Sequence, residues 1–548
     1  MPAAPHPLIL RGREALQRGD MRAVEAAAEE RLKTAGRDVN ALELRFIVQQ
    51  KRGQFGQAAR TLDTVIGIDQ RADWAYNELV QLFMVHGKPE DAEKVARAAL
   101  RANPRNSHAH SLFGTILSEM DNLPAGEWHF RSALELSGPQ APVLSSLGLN
   151  LMKQGRVDEA DATFARAHEL APQDMKTLAS WSTLHERRGD LKRAGELLDQ
   201  AEAASSPADI NLLRANYLDR VGRTQEALAI LDAAGTLTGE AYLTRGRMQD
   251  RLGNHAAAWQ DFVTGKARLL KENPGTEYRA DAVESLFERC KSFFNREHMT
   301  LLPQAKPRPD TAQPIFVMGF PRSGATLVEK ILGGHPAIAA GGDLPFVGGL
   351  SKLAGSLFSA SERFPEILAY SWMADYHYAA TLFRDYYLAR AEQYGLLENG
   401  ISYFTDKMPF NEIYLPLIRM AFPRAKIVRV VRHPLDVSVS MLSNNMTHGS
   451  HCGYHIEDIA NHLTAVDDLV EHYNKELALN AHVLRYESLI ANQEAETRKL
   501  LDFVGLPFEQ KCLQTLHNRS IGRHKHYAQK LKPHVGRLER MMKAHNYE

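Results

Sequence analysis

Residues 315–332 read IFVMGFPRSGATLVEKIL. Ile315–Met318 is short and apolar, as a strand buried on both faces of a parallel sheet is. Leu327–Leu332 carries a helical pattern. Between them, Gly319-Phe320-Pro321-Arg322-Ser323-Gly324-Ala325-Thr326 has the G-x-x-x-x-G-K-[ST] spacing of a phosphate-binding loop, with Ala325 where the lysine belongs. A strand, a glycine-bounded loop and a helix start together make a nest of backbone N–H groups at a positive helix end. The loop, Arg322 through Thr326, is therefore expected to bind a phosphate-type anion through Arg322, Ser323, Gly324, Ala325 and Thr326. Without the lysine a triphosphate is poorly neutralised, and Arg322 is the positive charge at hand. Ordinary ATP or GTP hydrolysis is disfavoured.

Further along, KIVRVVRHPLDVSVSML (426–442) reads as a strand ending at Arg432, a His433-Pro434 turn and a helix from Leu435. Arg432 offers a bidentate fork and Ser440 a hydroxyl donor, both suited to phosphate. TDKMPFN (405–411) follows Tyr403-Phe404 in another strand and carries Lys407. HVLRYESLIAN (482–492) reads as a strand and turn bearing Tyr486, ahead of a helix around Arg498–Val504. Each has a plainer structural reading as well: Arg432 paired with a local carboxylate, Lys407 paired with Asp406, Tyr486 packed in the core.

With these four motifs in order, the chain resembles the sulfotransferases, and PRSGATL after a strand resembles their 5′-phosphosulfate loop. The variant is similar to the tyrosylprotein sulfotransferases and to bacterial proteins that join tetratricopeptide repeats to such a domain. The resemblance covers roughly residues 314–530 and implies an α/β, P-loop-like domain with a mainly parallel sheet over 314–548. It implies 3′-phosphoadenosine-5′-phosphosulfate (PAPS) as sulfuryl donor and a hydroxyl acceptor. Arg432 and Ser440 match the residues at the donor's 3′-phosphate, and Tyr486 matches a tyrosine near the adenine. Lys407 matches the lysine beside the transferred group, where an ammonium stabilises charge on the leaving oxygen. The stretch RSIGRHKHYAQKL (519–531) resembles the segment closing over the nucleotide, with Ser520 and Arg523 as donor contacts. In HPAIAAGGDLPF (335–346), Asp343 stands where the tyrosylprotein relatives carry a glutamate base, and Gly342 replaces the first of their acidic pair. Aspartate is one methylene shorter, so the departure bears on the acceptor rather than the donor. Arg322, Lys407 and Asp343 are the expected catalytic groups, with His335 as rival base.

The N-terminal half repeats. Ala99, Ala133, Ala167 and Ala201 recur at 34 residues, as do Phe130 and Phe164, and Gly114 and Gly148. Ala58, Ala92, Ala160 and Ala194 fall on a grid of the same period. The period resembles the tetratricopeptide repeat, two antiparallel helices per unit. Small residues let the paired helices approach; Phe130 and Phe164 are expected to fill the gap to the next helix. About seven or eight units fit between residues 5 and 274. Residues 275–313 then form a connecting helix (Ala282, Val283, Leu286, Phe287, Cys290 and Phe293–Phe294 on one face) and a proline-rich linker. The expected architecture is an all-α repeat solenoid over 5–274 and the α/β domain over 314–548.

The 548 residues carry 66 Lys+Arg and 66 Asp+Glu, for a net charge of zero, so nothing attracts nucleic acid or anionic lipid globally. There is no run of 18 apolar residues for a membrane span. Cys290, Cys452 and Cys512 are too scattered for a disulfide framework, and a cytoplasmic location is expected. His448, His451, Cys452 and His455 lack zinc-finger spacing, so no metal is expected. The array is expected to recruit a peptide or protein acceptor or another protein partner. Two competing readings are a repeat-based scaffold with an inactive nucleotide-binding domain, and a small-molecule kinase, which Ala325 disfavours.

Overall fold

A computed structural model describes residues 6–204, 207–273, 275–446, 450–477, 479–514 and 520–547. The expected array limits at 5 and 274, His448, and the first residue of the 519–531 stretch lie outside them. The chain divides into two compact units, Met1–Arg223 and Thr224–Glu548.

The repeat helices are α1 (Pro7–Gln17), α2 (Met21–Thr34), α3 (Val39–Lys51), α4 (Phe55–Ile68), α5 (Asp73–Val85), α6 (Pro89–Ala102), α7 (Ser107–Glu119), α8 (Leu123–Ser137), α9 (Ala141–Lys153), α10 (Val157–Leu170), α11 (Met175–Arg188), α12 (Leu191–Ala204), α13 (Pro207–Arg220), α14 (Thr224–Ala233), α15 (Gly239–Arg251) and α16 (His255–Glu272). Every alanine of the two 34-residue grids is at most 1% exposed. A methyl group on Gly148 would lie 2.8 Å from the Phe164 ring, and one on Gly114 the same distance from Phe130. Each phenylalanine fills the space over a glycine within its own hairpin, and both belong to one buried cluster with Val143 and Leu147 of α9 and Leu178 and Trp181 of α11, the helices that follow them. Asp20, Asp38, Asn106 and Asp174 cap their helices by accepting backbone N–H bonds. The hairpin turns use Gly19, Gly53, Gly87, Gly155 and Gly189 at φ of 64–85°, and Asp121 takes the same place at φ 56°.

The second unit begins with α14 to α16 and continues with α17 (Ala280–Phe293) and α18 (Arg296–Leu301). Phe287, Cys290, Phe293 and Phe294 are buried as expected, whereas Ala282 is exposed. The proline-rich stretch is docked, with Leu302 and Ala305 buried and Ala305 N–H donating to the Met420 carbonyl at 2.8 Å. Five strands follow: β1 (Gln313–Met318), β2 (Ile338–Ala339), β3 (Tyr403–Asp406), β4 (Lys426–Val431) and β5 (Ala481–Arg485). They pair in parallel in the order β2-β3-β1-β4-β5, with Ile315 opposite Thr405 and Lys426. The helices between the strands are α19 (Ala325–Gly333), α20 (Phe346–Phe358), α21 (Ala379–Gln393), α22 (Leu415–Ala421), α23 (Pro434–Leu442) and α24 (Ile456–Leu477), and α25 (Tyr486–Ala491), α26 (Gln493–Val504) and α27 (Ala528–Ala544) follow β5.

Strand periodicity explains the apolar run in β1. Ile315 and Val317 enter one core with Val328, Val430 and Leu484. Phe316 and Met318 enter the other with Phe404, Tyr387 and Val439. That second core also contains Leu243, Ala258, Phe262 and Leu269 from α15 and α16. The last repeat pair therefore shares a core with the sheet.

Candidate active site

Four motifs start one residue beyond four strands: Gly319 after β1, Lys407 after β3, Arg432 after β4 and Tyr486 after β5. These strands are parallel and contiguous, so all four motifs open on one edge, where β1 has β3 on one side and β4 on the other. A cavity of about 480 Å³ lies there. Arg322, Gly324, Ala325, Thr326, Lys407, Arg432, Ser440, Tyr486, Ser520 and Arg523 line it. Ser323 is buried beside it, and Asp343 contacts one of its walls through Lys407.

The loop geometry follows from its glycines. Gly324 sits at φ 106°, and a Cβ there would come within 2.4 Å of the Tyr486 ring. A Cβ on Gly319 would lie 2.7 Å from the Val430 carbonyl. Bulk at either site would push the loop off its neighbours. Arg322 itself has φ 72°, the left-handed region that a side chain enters only when held there. Its Nε donates to Ser440 Oγ at 2.9 Å. Arg432 donates to the carbonyls of Arg322, at 3.0 Å, and Ser520, and lies over the Tyr486 ring at 4.8 Å. Tyr486 and Ser520 share a hydroxyl hydrogen bond of 2.9 Å.

Among the described residues, two buried polar atoms at this site have no protein partner, Ser323 Oγ and Arg432 Nε. Such atoms are costly unless a ligand completes them. Among the described residues, six cations surround the cavity, Arg247, Arg251, Arg322, Lys407, Arg432 and Arg523, against the single carboxylate of Asp250. Surrounding protein, and then the charges of Arg432, Arg523 and Arg247, lower the Arg322 pKa, although its side chain opens to solvent in the cleft. This donor set fits a polyanion.

Lys407 forms an ion pair with Asp343, not with Asp406. Asp406 is fully buried, accepts from Tyr387 Oη at 2.6 Å and Asn411 Nδ2 at 3.0 Å, and burial pushes its pKa up to about 7. The loop carrying Asp343 is held by buried Glu329 of α19. Its Oε1 accepts from Gly342 N–H and Thr405 Oγ1, both at 2.8 Å. His335 is buried in the turn after α19, with Nδ1 accepting from Ala337 N–H at 3.1 Å, which gives it a local structural task.

The segment from Ser520 is anchored by Asp436 of α23. Its carboxylate accepts from Gly522 N–H at 2.7 Å and from His524 N–H and Nδ1 at 2.8 Å. Burial opposes ionisation of Asp436, but the bonds from His524 and Gly522 outweigh it and lower its pKa. Arg523 donates to Asp250 Oδ2 of α15 at 2.7 Å and to Ser443 Oγ at 2.9 Å. Tyr527 also donates to Asp250. Arg247 of α15 and Lys266 of α16 donate to the carbonyls of Ser443 and Asn444, at 3.0 and 2.6 Å, at the end of the helix that carries Ser440. Arg247 there complements the helix dipole, and both side chains satisfy carbonyls that lack helical partners; burial lowers the Lys266 pKa to about 7.

Sequence reading missed Glu329, Asp436 and the α15 group Arg247, Asp250 and Arg251. Asp436 stood in the quoted RHPLD run and could have been flagged as a buried helix-start carboxylate. The α15 residues carried only a repeat signature, with no sign of what they face. Among the described residues, no group of three or more metal-ligating side chains comes together.

Residues 314–510 match the model of the sulfotransferase family, and residues 50–114 match that of the tetratricopeptide repeat. An uncharacterized protein of Aquifex aeolicus (strain VF5) is 26% identical over 379 residues, 66% of this chain and 48% of that protein. Protein-tyrosine sulfotransferase A of Caenorhabditis elegans is 24% identical over 232 residues, 38% of this chain and 53% of its own. Protein-tyrosine sulfotransferase 1 of Danio rerio is 26% identical over 212 residues, 38% of this chain and 57% of its own. The chain spans about half the length of these curated relatives. A solved tetratricopeptide repeat protein from Parabacteroides merdae ATCC 43184 overlays with a TM-score of 0.40 at 16% identity, covering 44% of this chain and 97% of that one. The chain is a tetratricopeptide-repeat protein that carries a sulfotransferase-family domain at residues 314–510.

Proposed function

We propose that the second unit binds PAPS at the carboxyl edge of its sheet and transfers the sulfuryl group to a hydroxyl acceptor. The observation that carries this reading is the convergence of four strand-end motifs on one cation-rich cavity with two unpartnered buried donors. Arg322 and the 323–326 loop would hold the 5′-side anion, and Arg432 and Ser440 the 3′-phosphate. When bound, the donor supplies a sulfuryl group activated by its phosphate leaving group. Asp343 would take the proton of the acceptor hydroxyl, and Lys407, its ion-pair partner, would stabilise charge on the leaving side. The repeat array and the tyrosylprotein-directed names of two relatives favour a peptide or protein hydroxyl as acceptor.

The test is calorimetric titration with adenosine 3′,5′-bisphosphate, the donor product, and with ATP. Tight bisphosphate binding, weak ATP binding and a loss of about tenfold or more in Arg432→Ala are expected, since hydrogen bonds to charged groups contribute on the order of 1.5–3 kcal/mol. Absence of bisphosphate binding in the wild type would sink the reading.

A further inference from the structure

We infer that a groove between α6 and α8 of the repeat array binds a tyrosine side chain of a peptide segment, whose phenol donates a hydrogen bond to His129 Nε2. The groove is separate from the donor cavity, and the inference does not rest on the donor reading. Its volume is about 850 Å³, within the range of ligand pockets. Leu100 of α6, Pro104, Phe113 of α7, and Trp128 and Leu136 of α8 give it apolar walls. Trp128 is 60% exposed, with its ring edge-on to that of His129 at 4.7 Å. A large ring left open beside a groove is the kind of anchor that dominates binding energy.

Two imidazoles in series fix what the groove offers. The Pro104 carbonyl can only accept, so His110 Nε2, 3.1 Å away, carries a proton. With that ring neutral, His110 Nδ1 is an acceptor, and His129 Nδ1 donates to it at 2.9 Å. Burial, then His110 and Arg97, lower the His129 pKa to about 4, so its ring is neutral at pH 7. His129 Nε2 is thereby left as a lone pair, and among the described residues it has no protein partner and is not sealed in the core. Arg101 of α6 donates to the Arg97 carbonyl through Nε, at 3.3 Å, which leaves its terminal nitrogens for a ligand. The side chain that suits this groove has an apolar body and a neutral tip that donates to an imidazole and accepts from a guanidinium. A phenol does both, whereas an indole N–H cannot accept. A cation would meet Arg97 and Arg101, and an anion would face the lone pair. Ser132 and Glu135, one turn apart on α8, line the same groove and offer acceptors to main-chain N–H groups, which a peptide has and a free phenol lacks.

The full chain is titrated, by saturation-transfer NMR, with two capped tripeptides that carry tyrosine or phenylalanine between two alanines. Wild type, His129→Phe and Trp128→Ala are compared. Wild type should bind the tyrosine peptide about fivefold more tightly than the phenylalanine peptide, the effect of about one neutral hydrogen bond. His129→Phe keeps a ring in place and should bring the two peptides within about twofold of each other. Trp128→Ala removes a mostly exposed side chain, so the array stays folded, and it should weaken both peptides alike, about 2- to 10-fold. Equal affinity of wild type for the two peptides, binding of neither, a tyrosine preference that survives His129→Phe, or wild-type affinity in Trp128→Ala overturns the inference.

Discussion

The hairpins α9–α10 and α15–α16 are built on one plan and put to different uses. In the first, Phe164 covers Gly148; in the second, Phe262 covers Gly246, with the absent Cβ 2.7 Å from the ring. The offset that carries Gly148 to Gly246 also carries Leu149 to Arg247, Met152 to Asp250, Lys153 to Arg251 and His168 to Lys266. Gly148, Ala160 and Phe164 recur as Gly246, Ala258 and Phe262, while the positions just named differ. In α9–α10 the charged side chains pair along the repeat surface, as Arg156 does with Glu127 and Glu159. In α15–α16 they reach Arg523 and the carbonyls at the end of α23. A repeat can therefore keep its packing code while its remaining positions are rewritten to line a cavity beside the sheet, because the two sets of side chains point to different neighbours.

The sharpest way to break this comparison is to empty both cores. Phe164→Ala and Phe262→Ala should each cost about 3–5 kcal/mol, the range for truncating a buried phenylalanine. Only Phe262→Ala should also blunt the rise in melting temperature that adenosine 3′,5′-bisphosphate produces, since Phe262 lies beneath Arg523 and near Tyr527. An equal nucleotide response in the two variants would erase the distinction between the hairpins.

Asp250 gives a second, smaller contrast. Burial acts to raise its pKa, but Arg523, Tyr527 and His255 outweigh it, so the folded value lies below the ordinary one. Its stabilisation is then complete above the unfolded carboxylate value of about 3.9 and is lost as pH falls through the lower folded value. Asp250→Asn should cost about 1.5–3 kcal/mol at neutral pH. Its gap to the wild type should stay constant down to about pH 5 and close below about pH 4. Denaturant titrations across that range would show it; a gap that grows on acidification would contradict the assignment. Met152 at the matching place in α9 has no titrating group, so no acid-labile contribution arises there.

The smallest effect belongs to the surface pairs of α9–α10. Arg156→Ala should change stability by about 1 kcal/mol or less and leave nucleotide binding unaltered, because exposed ion pairs contribute little. A loss of several kcal/mol in the same titration would mean that the Glu127–Arg156–Glu159 group acts as a network.

Much of this organisation was legible from local pattern. The alanine grid marked the helices because close helix contact admits only small residues at those places. The turn glycines, Gly19, Gly53, Gly87, Gly155 and Gly189, lay on the same period and went unread, although left-handed backbone is the reason they are glycine. The IFVM, YFTD and KIVRVV runs marked strands because both faces of a parallel sheet are buried. Asp343 was legible as a carboxylate in the right loop, but its pairing with Lys407, and the support that Glu329 gives that loop, depend on contacts between elements far apart in sequence.

By itself, the sequence determined the repeat period, the glycine-bounded loop and the residue standing at the end of four of the five strands, since those follow from short-range rules of helix spacing, strand alternation and glycine conformation. Only the tertiary structure decided that β1 lies between β3 and β4, which gathers four separated motifs at one edge. It alone decided that the final repeat belongs with the sheet, because a helix's polar face carries no record of its partner until the apolar faces have packed.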